Sequence, residues 1–122
     1  MLRRGEMMQV ISNLIMNSIW GMPAGGKLSI SVRDIELPSE GVVLTVADNG
    51  MGIAPEILPR VFDAFFTTRS TVGTGIGLFI ARQFVEGHGG TIGIESSTES
   101  DKHGTTVRVF LPIHTAYETS AP

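Results

Sequence analysis

Two glycine-rich segments contain the residues of this chain that are best suited to chemistry. The first is Asp48-Asn49-Gly50-Met51-Gly52-Ile53, which closes a run of alternating apolar residues. The second is Gly73-Thr74-Gly75-Ile76-Gly77-Leu78, which opens a run with helical periodicity. A carboxylate can accept hydrogen bonds from a base, and the N–H groups at a helix start can bind phosphates. Together the two segments predict a nucleotide site.

Each glycine segment also has a simpler explanation. Asp48-Asn49-Gly50 is typical of a tight turn, although the residues that follow, up to Pro55, do not resume a strand. The second segment has neither the G-x-G-x-x-G spacing of a dinucleotide motif nor the Gly-Lys-Ser/Thr of a P-loop. A flexible loop that ends in a helix cap would therefore explain it equally well.

A polar stripe runs along the first predicted helix. Glu6, Gln9, Asn13 and Asn17 recur at spacings of three and four, so they share one side of an otherwise apolar helix. A solvated face or a buried amide with satisfied hydrogen bonds would explain the stripe. The functional interpretation is that an asparagine oxygen binds Mg²⁺, which takes few protein ligands and completes its shell with phosphates and water.

Composition sets the class of protein. A chain of 122 residues predicts one domain, and its 42% apolar content predicts a soluble, globular one. The net charge of −3 gives no basic surface for nucleic acid, and the lack of cysteine excludes disulfides and thiolate metal sites. No apolar stretch approaches the ~20 residues of a membrane span, so we expect a cytoplasmic domain without membrane contact. The helical pattern begins almost at Met1, which suggests a fragment of a longer protein.

The order of predicted elements favours an α+β fold, a two-layer sandwich with helices on one face of a mostly antiparallel sheet. Apolar residues at helical spacing make the first helix buried over most of its surface, and Leu28, Ile30 and Val32 lie on the buried face of the first strand. Because the strands come as two hairpins, a doubly wound dinucleotide fold, and with it an oxidoreductase, is disfavoured. The predicted elements are a helix at 5–22, strands at 27–34 and 42–47, a short helix at 55–60, a loop at 61–73, a helix at 75–87, and strands at 91–97 and 105–111.

Four segments in order resemble the motifs of one family, the catalytic ATP-binding domain of sensor histidine kinases. Its wider superfamily includes gyrase, heat-shock chaperone and mismatch-repair ATPases. Asn13 to Ser18 resembles the asparagine box, and Val61 to Arg69 resembles the phenylalanine box. The segments 48–52 and 73–78 resemble the first and second glycine boxes. The resemblance implies a Bergerat-type domain over 1–112, with a tail at 113–122 and with the family's first strand missing.

The resemblance also implies roles for single residues. Asn17 would hold Mg²⁺ against the phosphates of ATP, with Asn13 near them. Asp48 would accept from the adenine amino group and so select ATP over GTP, and Thr105 would steady a bound water beside it. Residues 61–73 would form a mobile lid anchored by phenylalanines, in which Arg69, or else Arg82 on the next helix, contacts the phosphates. The remaining nucleotide-binding positions implied are Gly50, Gly52, Thr68, Gly73, Thr74, Gly75, Gly77 and Leu78.

Asn13 indicates the subclass. In the hydrolytic and serine-kinase relatives, a glutamate at this position acts as general base, and an amide cannot take a proton. A neutral imidazole needs less help from a base than water does, so transfer of phosphate to a histidine is favoured over hydrolysis. His88, His103 and His114 do not lie on a long helix beside an acid. We therefore expect the phosphoacceptor on a separate dimerisation domain of the same kinase, with a response regulator downstream. A non-catalytic nucleotide-sensing or docking module and a gyrase- or chaperone-type ATPase are the alternatives.

Overall fold

The computed structural model describes residues 4–36, 40–63 and 77–112. Within them lie two α-helices, at the places of the two long predicted helices, and the four predicted β-strands. The elements are α1 (Arg4–Trp20), β1 (Leu28–Ile35), β2 (Gly41–Asp48), a 3₁₀ turn (Leu58–Arg60), α2 (Gly77–Gly87), β3 (Thr91–Ser97) and β4 (Gly104–Pro112). The predicted helix at 55–60 is wrong in its length, because Pro59 has no N–H with which to continue an α-helix that starts at Pro55.

The four strands form one sheet in the order β1-β2-β4-β3, and every neighbouring pair is antiparallel. The two predicted hairpins, β1–β2 and β3–β4, are confirmed and join through β2 and β4. Both helices pack on one face of this sheet, α1 against β2 and α2 against β3 and β4. The two helices also pack against each other, which completes the α+β two-layer sandwich.

The core lies between the two layers. The alternation of β4 turns Thr105, Val107, Val109 and Leu111 inward, as expected for a sheet covered on one face. The fully buried side chains that meet there from both layers are Val10, Leu14, Val46, Ala81, Val85, Val107 and Val109. This packing fixes the end of β2, and therefore Asp48, relative to α1.

Two predictions about burial are wrong. On α1, the side chains of Met8, Ile11, Met16 and Ile19 are exposed, because the helix buries only the side that faces β2 and α2. On β1, Ile30 is exposed and Val32 is 63% exposed. They pair with Val46 and Leu44, so they lie on the helix-bearing face of the sheet. Neither described helix packs closely over this edge strand.

Neither α-helix in the described part of the chain combines the length and apolar character that crossing a bilayer requires.

Candidate functional site

Three polar side chains form a row across the inner face of the sheet, at the end where β2 finishes. The strand register places Asp48 opposite Thr105, and Thr105 opposite Ser96. Residues that lie opposite each other share one face of a sheet, and side chains alternate along a strand. The row therefore lies on the same face as the core residues Val46 and Val107, beneath the helices.

The Asp48 carboxylate is half-buried and has one oxygen fixed. Its Oδ1 accepts a hydrogen bond of 2.8 Å from the Gly50 N–H, the local turn that aspartate favours in such sequences. Its other oxygen accepts no hydrogen bond from the residues that the structure describes. A half-buried carboxylate oxygen without a partner can accept an N–H from a ligand.

Ser96 connects this row to the first glycine segment, a role that no sequence pattern indicates. Its Oγ accepts a hydrogen bond of 2.7 Å from the Ile53 N–H. The same hydroxyl donates to the Gly104 carbonyl and shares a 2.8 Å hydrogen bond with Thr105 Oγ1. The inward direction of Ser96 could be inferred from its spacing from Ile94, but its partners depend on the register of β3 against β4.

The loop after β2 is also tied to the helical layer and to β1. The Met51 N–H donates to the Gly21 carbonyl, just beyond the end of α1, at 3.1 Å. Asn49 Oδ1 accepts from the Lys27 N–H at 2.8 Å, and the Asn49 N–H donates to the Lys27 carbonyl. These bonds hold the loop rigidly between α1 and the start of β1.

A third tie comes from the turn between β3 and β4. His103 Nδ1 lies 2.6 Å from the Gly50 carbonyl, so this nitrogen carries the proton and donates. From the sequence, no role is assigned to the side chain of either Asn49 or His103. Both act on the loop backbone, and such contacts become visible only when the turn and the loop are placed together.

Glycine is required at two positions of this loop because the backbone packs closely there. Gly52 has a φ of 81°, and a Cβ on it would collide with the Ser97 carbonyl. A Cβ on Gly50 would collide with the Gly21 carbonyl. Both glycines therefore let the loop pack closely against neighbouring backbone, and this packing holds Asp48 in its position beside Thr105.

The asparagine stripe of α1 meets the second glycine segment. Asn13 Nδ2 donates to the Gly77 carbonyl at 3.0 Å, while its Oδ1 accepts from Gln9 Nε2 at 2.7 Å. The amide of Asn13 therefore joins α1 to the start of α2. Asn17, one turn further, is half-buried, and its side chain makes no hydrogen bond within the described ranges. Its amide oxygen is free to bind a ligand.

The second glycine segment and the segment predicted to form a lid lie largely outside the described residues. Thr68, Arg69, Gly73, Thr74 and Gly75 are all outside, as are Phe65 and Phe66. Leu78 is 8% exposed and belongs to the core, so only its main chain could face a ligand.

Phe62 and Arg82 contact each other. Phe62 packs against the core, and the Arg82 guanidinium lies 5.4 Å from the centre of its ring, a cation–π geometry. Arg82 Nε also lies 3.0 Å from Glu86 Oε2. Both contacts hold the Arg82 guanidinium near Phe62 and Glu86.

Neither of the two described histidines lies on a helix, as the sequence predicts. His88 follows α2, where its Nδ1 lies 2.8 Å from the Phe84 carbonyl and 3.8 Å from Glu6 Oε1. Its side chain is buried. His103 is bound to the loop as described above, and His114 lies outside the described residues.

Comparison with known proteins finds similarity to histidine kinases and related ATPases. Residues 3–115 match the family model described as "Histidine kinase-, DNA gyrase B-, and HSP90-like ATPase". The chain is 39% identical over 105 residues to sporulation kinase D of Bacillus subtilis (strain 168). The aligned residues make up 86% of this chain and 19% of that protein. The chain thus spans about a fifth of the length of the curated relatives it matches.

Solved structures are similar over most of the chain. The mycobacterial sensor histidine kinase MprB matches with a TM-score of 0.76 and 29% identity, over 88% of this chain and 72% of that one. Full-length ShkA, solved in complex with AMPPNP, matches with a TM-score of 0.73 and 26% identity, over 89% of this chain and 22% of that one.

Proposed function

The chain belongs to the family of histidine kinase-, DNA gyrase B- and HSP90-like ATPases, and from this premise we propose that it is the ATP- and Mg²⁺-binding catalytic domain of a two-component sensor histidine kinase. The γ-phosphoryl group of ATP passes to a histidine on a separate dimerisation domain, and then to a response regulator. This part of the kinase works in the cytoplasm, whether or not the parent protein is anchored in a membrane.

The observation that carries the proposal is the polar row under α1. Asp48 has one oxygen fixed by the Gly50 N–H and the other open, beside the buried Thr105. The open oxygen suits the amino group of adenine, which donates a hydrogen bond. Guanine has a carbonyl oxygen at the corresponding position, so two acceptors would face each other and GTP would bind poorly.

The residues present also fit a magnesium ion. The described part of the chain contains no group of three or more His, Asp or Glu side chains that could hold a metal. Mg²⁺ in nucleotide sites needs few protein ligands, because phosphates and water supply the others. The amide oxygen of Asn17 is the ligand we assign, and the bound ion neutralises phosphate charge.

Asn13 supports transfer to histidine over hydrolysis. Its amide is held between Gln9 and the Gly77 carbonyl, so it tethers two helices and offers no basic group to water. Without a general base at this position, the domain acts by positioning and by neutralising charge. Arg69 in the lid is the cation we assign to the phosphates, since Arg82 is directed toward Phe62 and Glu86.

The test is phosphoryl transfer in trans. The chain is mixed with a dimerisation domain that carries the acceptor histidine, together with Mg²⁺ and ATP labelled at the γ-phosphate. We expect acid-labile label on that histidine, and we expect Asn17→Ala to abolish it. Tight ATP binding without transfer would contradict the kinase and favour a nucleotide-sensing module. Steady release of phosphate by the isolated chain would favour a gyrase- or chaperone-type ATPase.

A further inference from the structure

One hydroxyl in the core is left without a partner. Ser18 is 2% exposed, and its side chain makes no hydrogen bond in the part of the chain that the structure describes. Thr105, which is also buried, is bonded to Ser96. Burying a hydroxyl without a hydrogen bond destabilises a fold, so such a group calls for a specific explanation.

The position of Ser18 on α1 follows from its spacing. Val10, Leu14 and Ser18 are four residues apart, so they form one stripe on the side of α1 that faces the sheet. Val10 and Leu14 are fully buried against the sheet and α2. Ser18 is the last member of this stripe, and the stripe changes there from apolar to polar.

The sheet changes from apolar to polar at the same end. Along β2 the inward residues are Leu44 and Val46 and then Asp48, while on β4 Thr105 follows Val107 toward that end. The hydrogen bond from the Met51 N–H to the Gly21 carbonyl brings the end of α1 to the loop after β2. Ser18 is one turn before Gly21, so the polar end of the stripe on α1 lies at the end of the sheet that holds Asp48.

A purine offers what this hydroxyl lacks. When Asp48 accepts from the amino group of adenine, the next atom along that edge is a ring nitrogen with a lone pair and no hydrogen. A carboxylate cannot donate to it, whereas a serine hydroxyl can. We propose that Ser18 donates to this ring nitrogen, directly or through one water, and so helps to select adenine. This inference rests on the proposed function, because it deepens the assignment of the same pocket.

Ser18→Ala in the full chain tests the inference. We expect the dissociation constant for ATP with Mg²⁺, measured by calorimetry, to rise about five- to tenfold, the factor for one neutral hydrogen bond. The unfolding temperature without nucleotide should be unchanged or higher, because the hydroxyl has no partner there. With 1-deaza-ATP, in which a C–H replaces the ring nitrogen, the variant and the wild type should bind equally. The matched control is Ser12→Ala, an exposed serine on the same helix, which should alter neither quantity.

Equal affinity of Ser18→Ala and wild type for ATP would overturn the inference and leave the proposed function intact. An equal loss with ATP and with 1-deaza-ATP would also overturn it, because the effect would then come from the pocket in general. If the wild-type chain itself bound no ATP, the proposed function would fail as well.

Discussion

At the scale of single residues, Asp48 combines two tasks in one carboxylate. Its Oδ1 holds the Gly50 N–H, and the other oxygen is open to a ligand. In Asp48→Asn the amide oxygen can still accept from Gly50, so the loop should keep its shape. The amide nitrogen would then face the adenine amino group, donor against donor. We expect ATP affinity, measured by calorimetry, to fall at least about tenfold.

The control for this change is Asp34→Asn, an exposed aspartate on β1 that lies outside every motif assigned to the site. It should bind ATP like the wild type. Unchanged affinity in Asp48→Asn, with normal unfolding, would remove Asp48 from the site.

Ser96 should matter more for stability than an ordinary surface serine. Ser96→Ala leaves the Ile53 N–H without its acceptor and removes the partner of Thr105. A half-buried N–H left unpaired costs about 1–3 kcal/mol, which should appear as a lower free energy of unfolding in urea. Ser31→Ala, at an exposed position of β1, should change this quantity by less than about 0.5 kcal/mol. Equal effects of the two variants would show that the Ser96 bonds are not important.

The residues of the site differ in how far the sequence could reveal them. Asp48 and Asn17 stand in motifs, and the family resemblance implied a role for Thr105, so these three could be selected from the sequence. Ser18 closes the asparagine box but drew no role from it, and Ser96 and His103 are common residue types outside every motif. Their importance depends on burial and on partners far away in sequence, such as Ile53 for Ser96, which only strand register and loop packing decide.

At the scale of elements, the loop after β2 depends on glycine. Gly52→Ala would force a Cβ into the Ser97 carbonyl at a positive φ, and such strain costs about 1–3 kcal/mol. We expect a loss of that size or more in the free energy of unfolding, together with weaker nucleotide binding. Gly93→Ala is the matched control, because a Cβ there meets open space within β3. If both alanines were tolerated equally, the close packing of the loop would be refuted.

The element bounds were largely predictable, and the reason is local. Periodicities of 3.6 and 2 residues distinguish helix from strand, and Pro23 and Gly89 interrupt them close to where α1 and α2 end. The short helix predicted at 55–60 is only a 3₁₀ turn at Leu58–Arg60, because Pro59 lacks the N–H that a longer helix needs there. The predicted burial of α1 and β1 is wrong for another reason. Periodicity shows which side of an element is apolar, but not whether another element covers it.

At the scale of the whole molecule, the two layers meet unevenly, and the candidate site lies at one end of their contact. α1 and α2 cover β2, β4 and β3, whereas the inner face of β1 is exposed at Ile30 and Val32 in the described chain. Asn17 comes from the helical layer and Asp48 from the sheet. A nucleotide that contacts both would join the layers where the apolar core ends, so its binding should stabilise the fold as a unit.

Because the helices cover β4 but not most of β1, the same substitution on these two strands should lower the free energy of unfolding by different amounts. Val107 is 2% exposed in the core, and Val32 is 63% exposed on the same face of the sheet. Val107→Ala removes two buried methyl groups and leaves a cavity, so the free energy of unfolding should fall by about 2 kcal/mol. Val32→Ala should cost no more than about 0.5 kcal/mol, mainly through strand propensity. Both are measured by urea denaturation of the full chain, and similar losses at the two positions would mean that β1 is covered in solution.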